Sequence, residues 1–234
     1  GNWSPSGALG AGDDVVIPNT TLNPKISNDV SINSLTINSG TLTLTGNATL
    51  TLSGNFTNNG TFTAGTNNTV TLSPSGNAVT ITGISSGSNP EDKTKFHNLK
   101  LQNGGGKTLT IDGRISVNGI LKLEGTSAGS LLTIAGGTNS PGIKLSTAQA
   151  NGKWLNVHTN IPMIPESGGK AYTVTESKAE EVSGFLISDE HPKNWIFNDY
   201  MGVMKWSAKE ATDTDKTKWN KSKNWLPNGI PGVH

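Results

Sequence analysis

The chain contains no cysteine, which excludes disulfides and thiolate-bound metals. Its 18 basic and 17 acidic residues leave a formal net charge of +1, so we expect no nucleic-acid partner, because such a partner requires a basic surface. No apolar run reaches the length that crosses a membrane, so membrane insertion is not expected either. Hydrophobic residues amount to only 32%, and a chain this poor in them folds only if they are placed regularly.

Charge is also missing locally. No Asp, Glu, Lys or Arg occurs between Val30 and Pro90, where Thr, Ser and Asn fill the polar positions. General acid–base catalysis requires titratable side chains. This part of the chain therefore offers no general acid or base.

What the sequence does contain is repetition. The stretch from Ala48 to Thr63, ATLTLSGNFTNNGTFT, returns 59 residues later (107 − 48 = 59) as KTLTIDGRISVNGILK, from Lys107 to Lys122. Apolar residues also recur 20 positions apart, at Val15/Leu35, Ile17/Ile37, Leu42/Phe62, Leu50/Val70, Leu52/Leu72, Leu101/Leu121 and Leu123/Ile143. A fixed period of this size is typical of a solenoid, and we interpret the longer repeat as three steps of about 20 residues.

Each 20-residue step contains the alternation of apolar and polar residues that is typical of a β-strand. Leucines such as Leu42 and Leu44 alternate with threonines, which gives a period of two. Pairs such as Gly46-Asn47 separate these runs and tolerate the left-handed backbone of a sharp corner. The pattern predicts an all-β, right-handed parallel β-helix. Evenly spaced short strands could also form a β-sandwich, but the recurrence of the apolar pattern at a fixed period favours the β-helix. The predicted inward residues are Leu42, Leu44, Leu50, Leu52, Phe56, Phe62, Val70, Leu72, Leu109, Ile111, Ile115 and Leu121.

The same periodicity predicts how the chain is divided. Residues 1–160 are expected to form the β-helix, with about 20 residues per coil, and residues 84–95 to form a loop that bulges from it. Residues 161–206 lack the period and are expected to form a C-terminal β cap. Residues 207–234 are expected to be a charged connector and the start of the next tandem unit, because NWLPNGIPG from residue 224 resembles NWSPSGALG from residue 2. Adjacent units of the same chain are therefore expected partners.

Three segments together resemble a known kind of protein: NWSPSGALGAGDDVVIP, SLTINSGTLTLTGNATLTLSGNFTNNGTF and FHNLKLQNGGGKTLTIDGRISVNGILKLEG. They resemble the repetitive cell-surface proteins of Bacteroidetes-type bacteria, which are similar to filamentous-haemagglutinin-like β-helical adhesins. The likeness covers about residues 2–157 and 219–232. It implies a non-enzymatic structural or adhesive module, extracellular or on the cell surface, secreted through a longer precursor. Surface glycans or host or matrix proteins are the implied partners, without a cofactor or defined catalytic residues.

One dense group of charges lies on the predicted solenoid: Asp112, Arg114, Lys122 and Glu124. The four residues fall on successive predicted strands and could form an outward cluster. Pectin-lyase-like β-helices require clustered carboxylates that hold Ca²⁺ and an Arg or Lys base. A carbohydrate-binding or polysaccharide-cleaving module is therefore the alternative function. An exposed patch of ion pairs is the interpretation that we favour, because charges on a β surface usually form one.

Metal sites are not expected. Asp13 and Asp14 follow a glycine and could ligate Ca²⁺, but two adjacent acids without a third spaced carboxylate favour turn capping. The four histidines have no ligand spacing, which argues against zinc; they are His97, His158, His191 and His234.

Two further surface features have both a functional and a structural interpretation. Six tryptophans could stack on sugar rings, but most lie outside the regular coils and are expected to cover open solenoid ends; they are Trp3, Trp154, Trp195, Trp206, Trp219 and Trp225. Thr-x-Thr runs could match an ice surface. Their uneven gaps argue against this, and strand preference alone explains outward threonines.

Overall fold

The computed structural model describes residues 8–19, 23–164, 169–182, 194–201, 205–206, 225–226 and 229–231. These residues form strands and one short 3₁₀ helix, and they contain no α-helix. All strand pairs but one are parallel, and the strands stack into a β-solenoid of about seven turns. The predicted parallel β-helix is confirmed, and the β-sandwich is excluded.

Three sheets form the sides of the first five coils. Sheet 1 contains β1 (Asp14–Ile17), β4 (Ser34–Ile37), β7 (Phe56–Asn58), β10 (Ala78–Thr82), β13 (Thr108–Asp112), β16 (Leu132–Gly136), β19 (Leu155–His158) and β21 (Lys178–Glu180). Sheet 2 contains β2 (Lys25–Ile26), β5 (Thr41–Leu44), β8 (Thr61–Ala64), β11 (Thr94–Phe96), β14 (Arg114–Val117) and β17 (Gly142–Leu145). Sheet 3 contains β3 (Val30–Ile32), β6 (Thr49–Leu52), β9 (Thr69–Leu72), β12 (Asn98–Leu101) and β15 (Leu121–Lys122).

A fourth sheet follows sheet 3 along the solenoid axis. It contains β18 (Gln149–Lys153), β20 (Tyr172–Thr175), β22 (Trp195–Tyr200) and β25 (Gly229–Pro231). A parallel bridge between Glu124 and Lys153 joins the two sheets across adjacent coils. A separate antiparallel pair consists of β23 (Lys205–Trp206) and β24 (Trp225–Leu226).

The core is one continuous stack of inward side chains. Every predicted inward residue is at most 1% exposed, so the whole predicted ladder is confirmed. Phe56, Phe62 and Phe96 meet in its centre, with ring centroids 5.0 to 5.4 Å apart in edge-to-face or tilted contacts. Burial of each large apolar side chain contributes about 1.5–3 kcal/mol. The alternation seen in the sequence therefore supplies the stabilising stack.

The pairing register follows the 20-residue step only in the early coils. Val15 pairs with Leu35, Leu42 with Phe62 and Leu50 with Val70, as predicted, and so do Ile17 with Ile37 and Leu52 with Leu72. Two predicted pairs are wrong: Leu121 pairs with Leu99 rather than Leu101, and Ile143 pairs with Ile115 rather than Leu123. The later coils are longer, because connections such as residues 83–93 add chain between strands.

The 59-residue repeat does not span three coils. Its first copy supplies β6, β7 and β8, which belong to sheets 3, 1 and 2. Its second copy supplies β13, β14 and β15, which belong to sheets 1, 2 and 3. The copies are seven strands apart, which is two coils and one strand. The same sequence pattern therefore recurs one side further around the solenoid, and the interpretation as three steps of 20 is wrong.

Residues 84–95 do not simply bulge outward. Their 3₁₀ helix, Pro90–Lys93, lies over sheet 2 near β11, β14 and β17, and Pro90 and Glu91 are buried. Asn58 at the end of β7 donates hydrogen bonds to the Lys93 carbonyl (2.9 Å) and to Thr94 Oγ1 (2.8 Å). The insertion is thus folded back onto the solenoid.

Parallel pairing continues beyond residue 160, although the sequence period is lost there. β21 pairs with β19, and β22 pairs with β20. Tyr172 and Trp195 are buried and form an edge-to-face contact at 5.5 Å, and the Tyr172 hydroxyl donates to the Leu121 carbonyl at 3.0 Å. The division at 160/161 and 206/207 stays a prediction. Residues 183–193 of the predicted cap and most of residues 207–234 lie outside the described residues.

One substitution pair tests the inward assignment. Leu52→Asp places an unpaired carboxylate in the apolar stack and should lower the free energy of unfolding by at least about 4 kcal/mol. Thr51→Asp, on the outer side of the same strand, should cost about 1 kcal/mol or less. Urea denaturation followed by circular dichroism measures both. Equal losses would show that the two faces of β6 are assigned wrongly.

Candidate functional site

The structure does not bring the four predicted charged residues together. Asp112 ends β13 in sheet 1, Arg114 begins β14 in sheet 2, and Lys122 lies in β15 of sheet 3. Only Lys122 and Glu124 contact each other, through an ion pair of 3.4 Å. Each of the three sides of the solenoid therefore carries a separate part of the predicted cluster.

Asp112 has a structural partner. Its carboxylate accepts hydrogen bonds from the backbone N–H of Asn139 at 2.9 Å and from Asn139 Nδ2 at 2.7 Å. These bonds hold the turn that follows β16. Asp112 therefore ties one coil to the next.

Arg114 faces a buried carboxylate that the sequence did not single out. Arg114 Nη1 lies 4.0 Å from Glu91 Oε2, and Lys144 Nζ lies 3.6 Å from Glu91 Oε1. The Glu91 side chain is 1% exposed, while those of Arg114 and Lys144 are 35% and 20% exposed. A buried carboxylate requires such partners because its desolvation is costly. Glu91 thus fastens the insertion to β14 and β17, and its burial keeps it from contacting a polymer.

A shallow groove lies on the outside of sheet 3, at the corner that leads to sheet 1. Its volume is about 430 Å³, and it is lined by Lys100, Leu101, Gln102, Asn103, Gly104, Lys122, Glu124, Gly125 and Thr126. We call it the sheet 3 groove. Lys100 and Lys122 are direct neighbours on the paired strands β12 and β15. The groove therefore presents stacked ammonium groups beside amide and hydroxyl groups.

Two glycines allow the coils to approach closely at this corner. A Cβ at Gly104 would lie 2.5 Å from the Glu124 carbonyl oxygen, and one at Gly125 would lie 2.4 Å from that of Trp154. Real Cβ atoms essentially never come this close to another heavy atom. The groove and Trp154 are therefore joined through backbone contact.

Trp154 occupies the corner between β18 and β19 with a φ of 53°. Positive φ is rare for a bulky residue and costs about 1–3 kcal/mol. Lys153 Nζ lies 4.2 Å from the centroid of the Trp154 ring and 2.7 Å from Glu176 Oε2. Trp154 is only partly buried, and it lies on an internal coil rather than over an open end.

The other fully described tryptophan, Trp195, is buried in the C-terminal part of the solenoid, and its end-covering role stays a prediction. Trp195 is 1% exposed, and its Nε1 donates to the Ile161 carbonyl at 2.8 Å inside the stack. Trp3 and Trp219 lie outside the described residues, and so do the side chains of Trp206 and Trp225. The sequence period was derived from apolar residues within strands. It therefore gave no indication that Trp154, which lies at a corner, would be partly exposed.

Of the two acids near the first strand, Asp13 caps a turn, as predicted, whereas Asp14 bonds to side chains of the next coil. Asp13 Oδ2 accepts from the Gly10 N–H at 2.8 Å. Asp14 Oδ1 accepts from Ser34 Oγ at 2.6 Å and Asn33 Nδ2 at 2.8 Å, and these bonds lower the pKa of Asp14. Among the described residues, no group of three or more His, Asp or Glu side chains could hold a metal ion.

The described histidines lie far apart in the fold. His158 Nε2 is 4.0 Å from Glu180 Oε2 on sheet 1. His97 lies at a corner, where its carbonyl accepts from the Gly119 N–H at 2.7 Å. His191 and His234 lie outside the described residues.

Threonines form small regular arrays. Thr49 and Thr51 pair with Thr69 and Thr71 on sheet 3, and Thr41 and Thr43 pair with Thr61 and Thr63 on sheet 2. The Thr51 column ends at Lys100, and the Thr43 column ends at Lys95. Cross-strand Thr pairs stabilise a sheet by about 0.2–1 kcal/mol each. These two arrays are each two strands wide, and a column on sheet 1, Thr36, Thr57 and Thr82, spans three strands. Columns this short suit sheet pairing better than an extended ice-binding plane.

The Glu91 contacts make a measurable contribution to stability. Glu91→Gln leaves Arg114 and Lys144 without the carboxylate and should lower the free energy of unfolding by about 2 kcal/mol. Asp92→Asn is the matched control, because Asp92 pairs with Lys95 at 3.7 Å on the exposed surface and should contribute less than about 1 kcal/mol. Urea denaturation compares the two variants. A loss at position 92 as large as that at position 91 would contradict the fastening role.

Similarity to known proteins gives no further assignment. The chain matches no protein-family model, no curated protein and no solved structure. The resemblance to repetitive bacterial surface proteins therefore stays a prediction. The functional argument depends on the solenoid and the side chains that it presents.

Proposed function

We propose that this chain is a non-enzymatic structural or adhesive module of a large secreted bacterial cell-surface protein. The β-solenoid fold is consistent with this role. We place the protein outside the cell or on its surface, where it would contact surface glycans or host or matrix proteins. The described residues contain no helix long and apolar enough to span a membrane.

The observation that carries the proposal is the in-register parallel stacking of the coils. Eight strands of sheet 1, spaced about 4.8 Å apart, form a stack about 34 Å long. Every coil is fixed to the next by backbone hydrogen bonds and by the inward side chains. Such a stack resists bending and presents its outer residues at fixed spacing, which suits a spacer or an adhesive surface.

The distribution of charge supports a non-enzymatic role. Residues 30–90 carry no charge, so they offer no acid or base. Glu91 is buried against Arg114, and Asp112 holds a turn. The charged residues considered for catalysis thus have structural partners on separate sides of the solenoid.

Contacts between adjacent units are part of the proposal. β25 pairs in parallel with β22, with Gly229 beside Phe197 and Ile230 beside Asn198. The sequence around β25 resembles the stretch that begins at residue 2. A segment that repeats the start of the chain therefore stacks on a late coil, as expected if one unit continues into the next.

The alternative is a carbohydrate-binding or polysaccharide-cleaving, pectin-lyase-like module. The sheet 3 groove and the partly exposed Trp154 favour carbohydrate binding. Cleavage would require a base near clustered carboxylates. Lys122 has one acidic partner within ion-pair distance among the described residues, Glu124.

An adhesion assay combined with a turnover assay tests the proposal. Beads coated with the protein should adhere to glycan- or matrix-coated surfaces, and the unfolded Leu52→Asp variant should not. Incubation with pectin, alginate or glycosaminoglycans in the presence of Ca²⁺ should give no unsaturated products, measured by ultraviolet absorbance. Products that disappear with Lys122→Ala would establish a lyase and overturn the proposal.

A further inference from the structure

The outer face of sheet 3 changes abruptly along the solenoid axis. A column of Ser31, Thr51 and Thr71 continues, in register, as Lys100 and then Lys122. Adjacent strands are about 4.8 Å apart. Uncharged hydroxyl groups are thus replaced by two directly stacked cations.

Stacked like charges destabilise a sheet unless something compensates them. Lys122 is paired with Glu124, whereas Lys100 forms no ion pair with any residue in the described part of the chain. A bound anion would offset this repulsion. The pairing therefore points to a ligand with negative charges spaced along the axis.

The neighbouring groups suit a sugar. Gln102, Asn103 and Thr126 line the same groove and supply amide and hydroxyl groups. The volume of about 430 Å³ lies within the range of about 300–1,000 Å³ that is typical of small-ligand sites. An uncharged polyhydroxylated chain could use these hydrogen bonds, and an acidic one could use the lysines as well.

Trp154 lies at the corresponding corner of the next coil along the axis. Its carbonyl oxygen lies against Gly125, and its ring is only partly buried beside the Lys153 ammonium group. Lys153 is also the bridge partner of Glu124, so it lies one coil further along the axis, beside the column of Lys100 and Lys122 and not in it. An indole face is apolar enough to pack on a sugar ring, while its edge remains in water.

We propose that the sheet 3 groove, together with Trp154, binds an acidic polysaccharide that lies along the solenoid axis. This inference rests on the proposed adhesive role and names its ligand class. Lys100 and Lys122, which are direct neighbours on paired strands, bind carboxylate or sulfate groups of this polysaccharide. Glu124 and Glu176 hold Lys122 and Lys153 in position.

Isothermal titration calorimetry with defined oligosaccharides tests the inference. An alginate oligomer carries carboxylates and a heparin oligomer carries sulfates as well, so the two probes distinguish the anionic groups. Binding of either oligomer, together with no binding of neutral dextran, is the expected result. Absence of binding to both acidic probes would overturn the inference, as would equal binding of single-stranded DNA, which would indicate charge attraction alone.

Variants locate the site. Lys100→Ala/Lys122→Ala should weaken binding at least tenfold, whereas Lys25→Ala/Lys178→Ala, with the same change in net charge, should weaken it less than twofold. Trp154→Gly should weaken binding about fivefold without unfolding the protein, because glycine accepts the positive φ at that corner. Equal affinities of the two double variants would overturn the inference.

The adhesion assay separates this inference from the proposed function. If Lys100→Ala/Lys122→Ala beads adhere as well as wild-type beads, the groove is not the adhesive site, although the module is still adhesive. Loss of adhesion in that variant, with retention in Lys25→Ala/Lys178→Ala, supports both proposals.

Discussion

Backbone pairing between successive coils is the constraint on which the rest of this structure depends. Every strand in the three main sheets must match the strand one coil earlier, so the inward positions are apolar in coil after coil, apart from polar residues such as Asn58 and Thr94 that hydrogen-bond to each other. The outward positions of the strands do not have to be apolar. This freedom explains why the outer side of sheet 3 changes from Thr71 to Lys100 while Val70 and Leu99, their neighbours along the strands, both remain buried.

The alternation of apolar and polar residues and the 20-residue period were sufficient to predict the fold and its core, because the side chains that a strand buries can be identified from that strand's own sequence. They were not sufficient for the later register. Leu101 and Leu121 share the 20-residue spacing, but Leu99 is the true partner of Leu121 because longer connections shift the strands. Connection length depends on how a loop packs, and residues 84–95 are held against the solenoid by the hydrogen bonds of Asn58 and by the buried Glu91. Its burial depends on Arg114 and Lys144, which lie more than 20 residues further along the chain.

The candidate site was predicted only in part, for a related reason. Sequence proximity suggested that Asp112, Arg114, Lys122 and Glu124 act together, yet the chain turns two corners between Asp112 and Lys122. The solenoid instead places Lys122 beside Lys100 and places Trp154 next to Gly125. In a coiled chain, surface neighbours come from adjacent coils, and their separation in sequence is a whole coil rather than a few residues.

The displaced 59-residue repeat has a consequence for how such a chain presents its surface. Thr51 lies on the outside of sheet 3, and its counterpart Thr110 lies on the outside of sheet 1. If the segment were copied again with the same seven-strand advance, each copy would appear one side further around, and the fourth would lie above the first. Duplication would then distribute equivalent residues in a spiral around the axis. Neighbouring molecules on every side would meet the same chemistry.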